Sequence, residues 1–127
     1  MAESIKNLFV IDASFVLAFL LDEGNLEVES IFEKQALGEI NFVAPPLLKY
    51  EVGNSLRSKV LRKKIKKEKA QRLYKLFLGI KIDEKNLNYH YVLSLALEKN
   101  LSFYDASYLS LAKKYRIPIL TLDNSLK

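Results

Sequence analysis

The sequence predicts an α/β fold, a mostly parallel sheet covered by helices, and three observations lead there. Two short apolar runs, Leu8-Phe9-Val10-Ile11 and Ile119-Leu120-Thr121-Leu122, are too short and branched for helices and read as buried strands. Between them lie longer segments whose apolar residues recur at helical spacing. Strands that alternate with helices imply crossover connections, hence a parallel sheet between helical layers. The third observation is chemical. Both runs end on an acid, Asp12 and Asp123, and open sheets of this class form their sites beyond the carboxyl ends of the strands.

The elements follow in order. Residues 8–11 are the first strand. Ser14, a favoured N-cap, is placed to start a helix through Leu21, which Asp22-Glu23-Gly24-Asn25 breaks. Residues 26–37 read as a second helix stopped by Gly38. Residues 41–44 are a second strand. Pro45-Pro46 ends it and opens the next helix, because proline fits the first helical turn. That helix runs to near Lys64 with Leu48, Val52, Leu56 and Val60 at spacing four. After a break at 64–66, residues 68–78 continue as a helix stopped by Gly79, and 80–82 form a third strand. Residues 86–100 are a helix on which Val92, Leu95 and Ala96 share a face. The last helix runs from Ser102 to Tyr115, and residues 118–122 are the last strand. No repeat, low-complexity stretch or linker divides the chain, so residues 1–127 are expected to form a single domain.

Composition narrows the chemistry. The chain has no cysteine, which excludes disulfides, thiolate zinc sites and a cysteine nucleophile. His90 is the single histidine, so RNA cleavage by a histidine pair within one chain is excluded, and it reads as an ordinary helix residue. The four glycines are scattered and form no phosphate-cradling loop. The apolar stretch 15–21 falls far short of the about 20 residues that span a bilayer. Asp12 interrupts the run before it, so no signal peptide is expected and a cytoplasmic location is. That stretch is apolar on all sides, which implies complete burial or a subunit contact. The net charge is +5, and much of the excess lies in Arg57, Lys59, Arg62, Lys63, Lys64, Lys66, Lys67, Lys69 and Arg72. Such a run is either a track for a polyanion or a solvated helix surface.

Four acids draw attention, and each has an ordinary alternative. Asp12 could be a turn former or cap after its strand. Glu51, inside a helix, could be a solvated acid, yet it begins a polar strip with Asn54 and Ser55 beside an apolar face. Asp105 stands three residues after Ser102 as in a capping box, but also in line with the inward stripe of Tyr108, Leu109 and Ala112. Asp123 could be a turn residue in Asp-Asn-Ser. Thr121 could line the same cleft as Asp123 or be simply a β-branched strand residue, and the second is the plainer reading. The case for function is joint. Carboxylates brought together without a cation raise one another's pKa. Hard ions such as Mg²⁺ or Mn²⁺ prefer their oxygens and can promote hydrolysis at phosphorus. Phosphodiester hydrolysis then follows if the basic run holds a nucleic-acid backbone.

Four segments in order, Val10-Ile11-Asp12-Ala13-Ser14, Leu48-Lys49-Tyr50-Glu51-Val52-Gly53-Asn54, Tyr104-Asp105-Ala106-Ser107-Tyr108-Leu109-Ser110-Leu111-Ala112 and Leu120-Thr121-Leu122-Asp123, make the chain resemble PIN-domain proteins. The likeness is greatest to the VapC-type toxin ribonucleases of toxin–antitoxin pairs. It spans nearly the whole chain. It implies a three-layer α/β/α sandwich, Mg²⁺- or Mn²⁺-dependent endoribonuclease activity, a small VapB-type antitoxin as partner and often a homodimer. The family's catalytic acids fall on Asp12, Glu51, Asp105 and Asp123. Asp12, Asp105 and Asp123 would hold the metal, while Glu51 would orient the attacking water or help hold a second ion. Ser14, Asn54 and Thr121 match supporting positions, and Arg57, Arg62, Lys63, Lys64, Lys66 and Lys67 form the candidate RNA track. The expected products carry a 5′-phosphate and a 3′-hydroxyl. Similar proteins commonly continue past the last acid with a helix and an edge strand, whereas this sequence ends at Lys127.

Two other readings compete. A phosphorylation receiver also places acids at strand ends, but it needs a lysine after a late strand and a phosphoacceptor aspartate after a middle one, and neither is so arranged. A noncatalytic RNA-binding or interaction module could keep the same fold.

Overall fold

Four short strands lie side by side in one sheet, and every pairing is parallel. They are β1 (Leu8–Ile11), β2 (Asn41–Ala44), β3 (Ile82–Glu84) and β4 (Ile119–Leu120), in the spatial order β3-β2-β1-β4. Among the described residues six helices connect them: α1 (Ala13–Leu20), α2 (Leu26–Ala36), α3 (Leu47–Leu61), α4 (Lys67–Leu78), α5 (Tyr89–Lys99) and α6 (Phe103–Tyr115). A short 3₁₀ turn, Asn124–Leu126, follows β4. The computed structural model describes residues 7–127.

The strand order dictates the layers. From β1 the chain steps to β2 and then to β3 in one direction, and parallel crossovers are right-handed. Both steps therefore carry their helices, α1 to α4, to the same face. The return from β3 to β4 crosses the sheet the other way and puts α5 and α6 on the opposite face. The result is the three-layer α/β/α sandwich. The order reverses between β1 and β4, and a crevice opens at such a switch point beyond the strand ends.

Packing explains the unbroken apolar character of the first helix. Phe15, Val16, Ala18 and Leu20 of α1 are buried, and Leu17 and Phe19 are half-buried. The helix packs against α2, α3 and α4, so the chain itself covers most of its surface. Phe19 stacks on Phe32 of α2 with ring centroids 4.0 Å apart, and Phe32 meets Phe42 of β2 edge-on at 5.2 Å. Truncating such a buried ring costs about 3–5 kcal/mol. On the other face, Val92, Ala96 and Ala106 form a smaller cluster that joins α5 to α6. No helix among the described residues is long and apolar enough to cross a membrane.

Several boundaries differ from the sequence expectation. Asp12, not Ser14, caps α1: its carboxylate accepts the Phe15 amide, and Ser14 lies within the first turn. Residues 80–82 do not all join the sheet. The Ile80 amide still donates to the Phe77 carbonyl at the end of α4, so β3 starts at Ile82 opposite Phe42. The helix expected from 86 starts at Tyr89, because the Asn88 side chain takes the Tyr91 amide. Lys63 adopts a left-handed backbone, φ 60°, and α3 stops at Leu61. The strand expected over 118–122 pairs only at Ile119–Leu120, since the Leu122 amide turns to a side chain instead of the ladder.

The hairpin of α3 and α4 depends on a close approach. The Tyr74 hydroxyl donates to the Lys49 carbonyl at 2.7 Å. A Cβ on Gly53 would meet the Tyr74 ring at 3.3 Å, tighter than ordinary contact. Glycine at 53 lets α4 lie against the first half of α3.

Candidate active site

Asp12 is the best-held acid. It ends the central strand, its amide bonds the Leu120 carbonyl at 3.2 Å, and its residue is 4% exposed. Oδ1 accepts the Ser14 hydroxyl at 2.7 Å and the Phe15 amide at 3.1 Å. Oδ2 accepts the hydroxyl of Thr121. An ionised carboxylate offers about four acceptor positions. Three are filled, and one on Oδ2 stays available.

The hydroxyls do more than satisfy Asp12. Ser14 Oγ accepts the Leu122 amide at 2.9 Å and lies 3.4 Å from Thr121 Oγ1. Thr121 Oγ1 accepts the Asp123 amide at 2.9 Å. Thr121 is therefore not merely a β-branched strand residue: buried at the end of β4, it ties Asp12 to the segment that carries Asp123. The Asp123 carboxylate caps the 3₁₀ turn through the Ser125 amide at 2.9 Å.

Glu51 stands in the second turn of α3, half-buried, and accepts the hydroxyl of Tyr108 from α6 at 2.5 Å. Asp105 occupies the first turn of α6, where the Ser102 hydroxyl caps its amide at 3.0 Å. Asp105 thus belongs to both readings drawn from the sequence, a capped turn and an inward-facing acid.

Electrostatics join the four acids. Burial raises the Glu51 carboxyl above its ordinary value, the Tyr108 hydrogen bond pulls it partly back, and the charges of Asp105 and Asp12 push it further up. Burial likewise raises Asp105, reinforced by the charges of Asp123 and Asp12 and opposed by Ser102. The Tyr108 hydroxyl is driven strongly upward, first by burial and then by Glu51, so it stays protonated and can only donate to that carboxylate. Among the described residues the ion pairs are Lys49–Glu84 and Lys85–Asp83, so no lysine or arginine neutralises any of the four acids. At the same time no three acidic or histidine side chains among the described residues converge closely enough to hold one ion. The four acids feel one another's charge without forming a closed cage.

The other expected residues are less involved. Asn54 lies one turn beyond Glu51, exposed, and bonds none of the acids among the described residues. His90 is exposed in the first turn of α5. The basic residues gather at the α3–α4 tip. Arg57, Arg62, Lys63, Lys64, Lys66, Lys67, Lys69 and Arg72 are exposed, Lys59 is half-buried, and none is in an ion pair among the described residues. An open groove there is lined by Lys63, Lys64, Ile65, Lys66, Lys67 and Lys69 with Val60 and Glu68. From Glu51 to Arg62 the helix advances about 16 Å at 1.5 Å per residue, so the tip stands well away from the acids. Tyr108 is the participant that sequence reasoning missed. Its signal was present: a tyrosine one turn after Asp105 on an inward stripe needs a partner for its hydroxyl.

Comparisons with known proteins agree with this architecture. Residues 9–127 match the PIN domain family. The chain is 34% identical over 119 residues to Ribonuclease VapC1 of Mycobacterium tuberculosis, covering 92% of this chain and 86% of that protein. It is 28% identical over 123 residues to Ribonuclease VapC3 of Pyrobaculum aerophilum, covering 92% and 90% respectively. The crystal structure of PAE2754 from Pyrobaculum aerophilum superposes with a TM-score of 0.77 at 22% identity, over 97% of this chain and 84% of that one.

Proposed function

Since the chain belongs to the PIN-domain family, we propose that it is a metal-dependent endoribonuclease, the toxin of a toxin–antitoxin pair. The observation that carries this reading is the set of four acids around the β1/β4 switch point with no positive side chain to neutralise them. The donors are carboxylate and hydroxyl oxygens, the chemistry that suits Mg²⁺ or Mn²⁺ rather than a softer ion. Asp12, Asp105 and Asp123 are the residues that would hold it, and they would have to close on the ion, since without it they do not form one ligand set. A bound ion would supply positive charge against the phosphoryl oxygens and make a water a better nucleophile at neutral pH.

The chain's own residues do the rest. Ser14, Thr121 and the Phe15 amide hold the Asp12 carboxylate in one orientation and leave one acceptor position on Oδ2. Glu51 lies opposite, on α3, and would orient the attacking water. The lysines and arginines of the α3–α4 tip would hold the RNA backbone away from the scissile bond. The naming of both relatives as VapC ribonucleases supports RNA as substrate and a VapB-type antitoxin as partner. The toxin would act in the cytoplasm. Exposed Tyr89, Leu93 and Leu97 share one face of α5 and support a protein contact there, including the homodimer. Light scattering at micromolar concentration tests the dimer, and a monomer would remove it.

End-labelled RNA, incubated with the protein in Mg²⁺, Mn²⁺ or EDTA beside Asp12→Asn, tests the reading. The expected result is cleavage with either metal, none in EDTA and none by the variant. RNA binding without cleavage would identify a noncatalytic module instead.

A further inference from the structure

We propose that Tyr108 is the positioning residue for Glu51, aiming its carboxylate at the attacking water. This inference rests on the nuclease reading of the site and adds a role that the four acids do not supply.

The two residues come from different layers. Glu51 lies on α3 and Tyr108 on α6, 57 positions apart, yet the phenol donates to Oε1 at 2.5 Å. Among the described residues the side-chain bonds of the site therefore fall into two groups: the Asp12, Ser14 and Thr121 set, and this single bond. The donor is rigid. Tyr108 is 2% exposed and packed in the main core, whereas Ser107 and Ser110 beside it spend their hydroxyls on backbone carbonyls of α6. The acceptor is not otherwise fixed. Glu51 has no lysine or arginine partner among the described residues, and Oε2 takes part in no hydrogen bond there. No buried side-chain oxygen lacks a partner among the described residues, so Oε2 is open to solvent.

One oxygen clamped and the other free is what an orienting carboxylate needs. A glutamate on a helix has three side-chain torsions to settle, and a lone exposed one samples many rotamers. A hydroxyl that can only donate, held by a packed ring, removes that freedom at Oε1 and presents Oε2 in one direction. A displacement of even about 1 Å at such a group can cost a hundredfold in rate.

The test is Tyr108→Phe, which keeps the ring and removes the hydroxyl, measured beside Glu51→Gln and the double variant. Single-turnover and steady-state cleavage are read in Mg²⁺, RNA affinity in EDTA, and unfolding in urea. The expected result is kcat lower by roughly tenfold to a hundredfold with KM little changed, the upper figure matching an about 1 Å misplacement. RNA affinity in EDTA stays at the wild-type value. In the Glu51→Gln background the same change has no further effect on kcat, because there is no carboxylate left to aim. A Tyr108→Phe protein with wild-type kcat overturns this inference while leaving the nuclease reading standing. So does an equal loss of kcat with and without Glu51, which would mark a purely structural role. Absence of metal-dependent cleavage by the wild-type protein overturns the nuclease reading and this inference together.

Discussion

The acid at the end of β1 and the basic tip of α3 are built on opposite plans. Asp12 is buried, accepts three hydrogen bonds and is tied to residues more than a hundred positions away. The lysines at 63–67 are exposed, free of ion pairs among the described residues and arranged around an open groove. At the first region both oxygens of Asp12 have fixed partners, so single atoms matter. At the second, charge is redundant and geometry is loose. On the nuclease reading, the difference separates chemistry, which needs fixed atoms, from attraction of a polyanion, which needs only field.

The strongest way to break the comparison is Asp12→Asn. Asparagine caps a helix as well as aspartate does, so α1 should survive and the unfolding midpoint should stay near wild type. Cleavage of end-labelled RNA should fall by more than about a hundredfold, beyond the 10- to 100-fold typical of removing an outer partner of a metal ligand. Full cleavage by a nuclease-free preparation of the variant would show that the buried acid is only a cap.

Thr121→Val comes next. It keeps the shape but strips a donor from Asp12 Oδ2 and an acceptor from the Asp123 amide. Urea unfolding should show a loss of about 1–3 kcal/mol, and activity should drop about 10- to 100-fold. Thr121→Ser should restore much of both. An unchanged activity would place the tie outside the chemistry.

Reversing Lys63 and Lys64 to glutamate tests the other region. RNA affinity should weaken and KM rise more than kcat falls. The logarithmic salt slope should shrink by about 0.7 for each phosphate of single-stranded RNA that the variant no longer neutralises. If affinity and slope are unchanged, the RNA lies elsewhere.

The smallest effect concerns pH. Glu51 and Asp105 sit above their ordinary values of 4.5 and 3.8 in the folded state. They bind protons more tightly folded than unfolded, so their contribution favours the fold below those ordinary values. It is lost as the pH climbs through the raised ones. Glu51→Gln should therefore flatten part of the stability decline as the pH rises above that group's ordinary value, measured by urea titrations at stepped pH. Mg²⁺ should raise the melting temperature more at neutral pH than at a pH below those ordinary values, where protonation relieves the repulsion. Equal shifts at both values would separate the ion from these two carboxyls.

The legibility of these regions in the sequence follows the same division. The strands at 8–11 and 41–44 were readable because buried parallel strands are nearly continuous apolar runs. Asp12 and Asp123 were readable because they follow such runs. The basic tip was readable as charge alone. The role of Thr121 was not, because it depends on which strand lies beside β1, and a two-residue β4 carries little pattern of its own. The third strand was misplaced by two residues because Ile80 is apolar yet belongs to the turn that ends α4. The Glu51–Tyr108 bond was hidden for a similar reason: local spacing tells that Tyr108 faces inward, and only the layered packing tells what it faces.

The tie between Asp12 and Thr121 also has a consequence for synthesis. It spans 109 positions, and a ribosome adds about 5–20 residues per second. Asp12 therefore waits several seconds or more for its partner to be made, and the final strand must still dock on β1 after leaving the exit tunnel. Until then the acids lack their frame. On the nuclease reading, a nascent chain that has not yet reached Thr121 holds no assembled site.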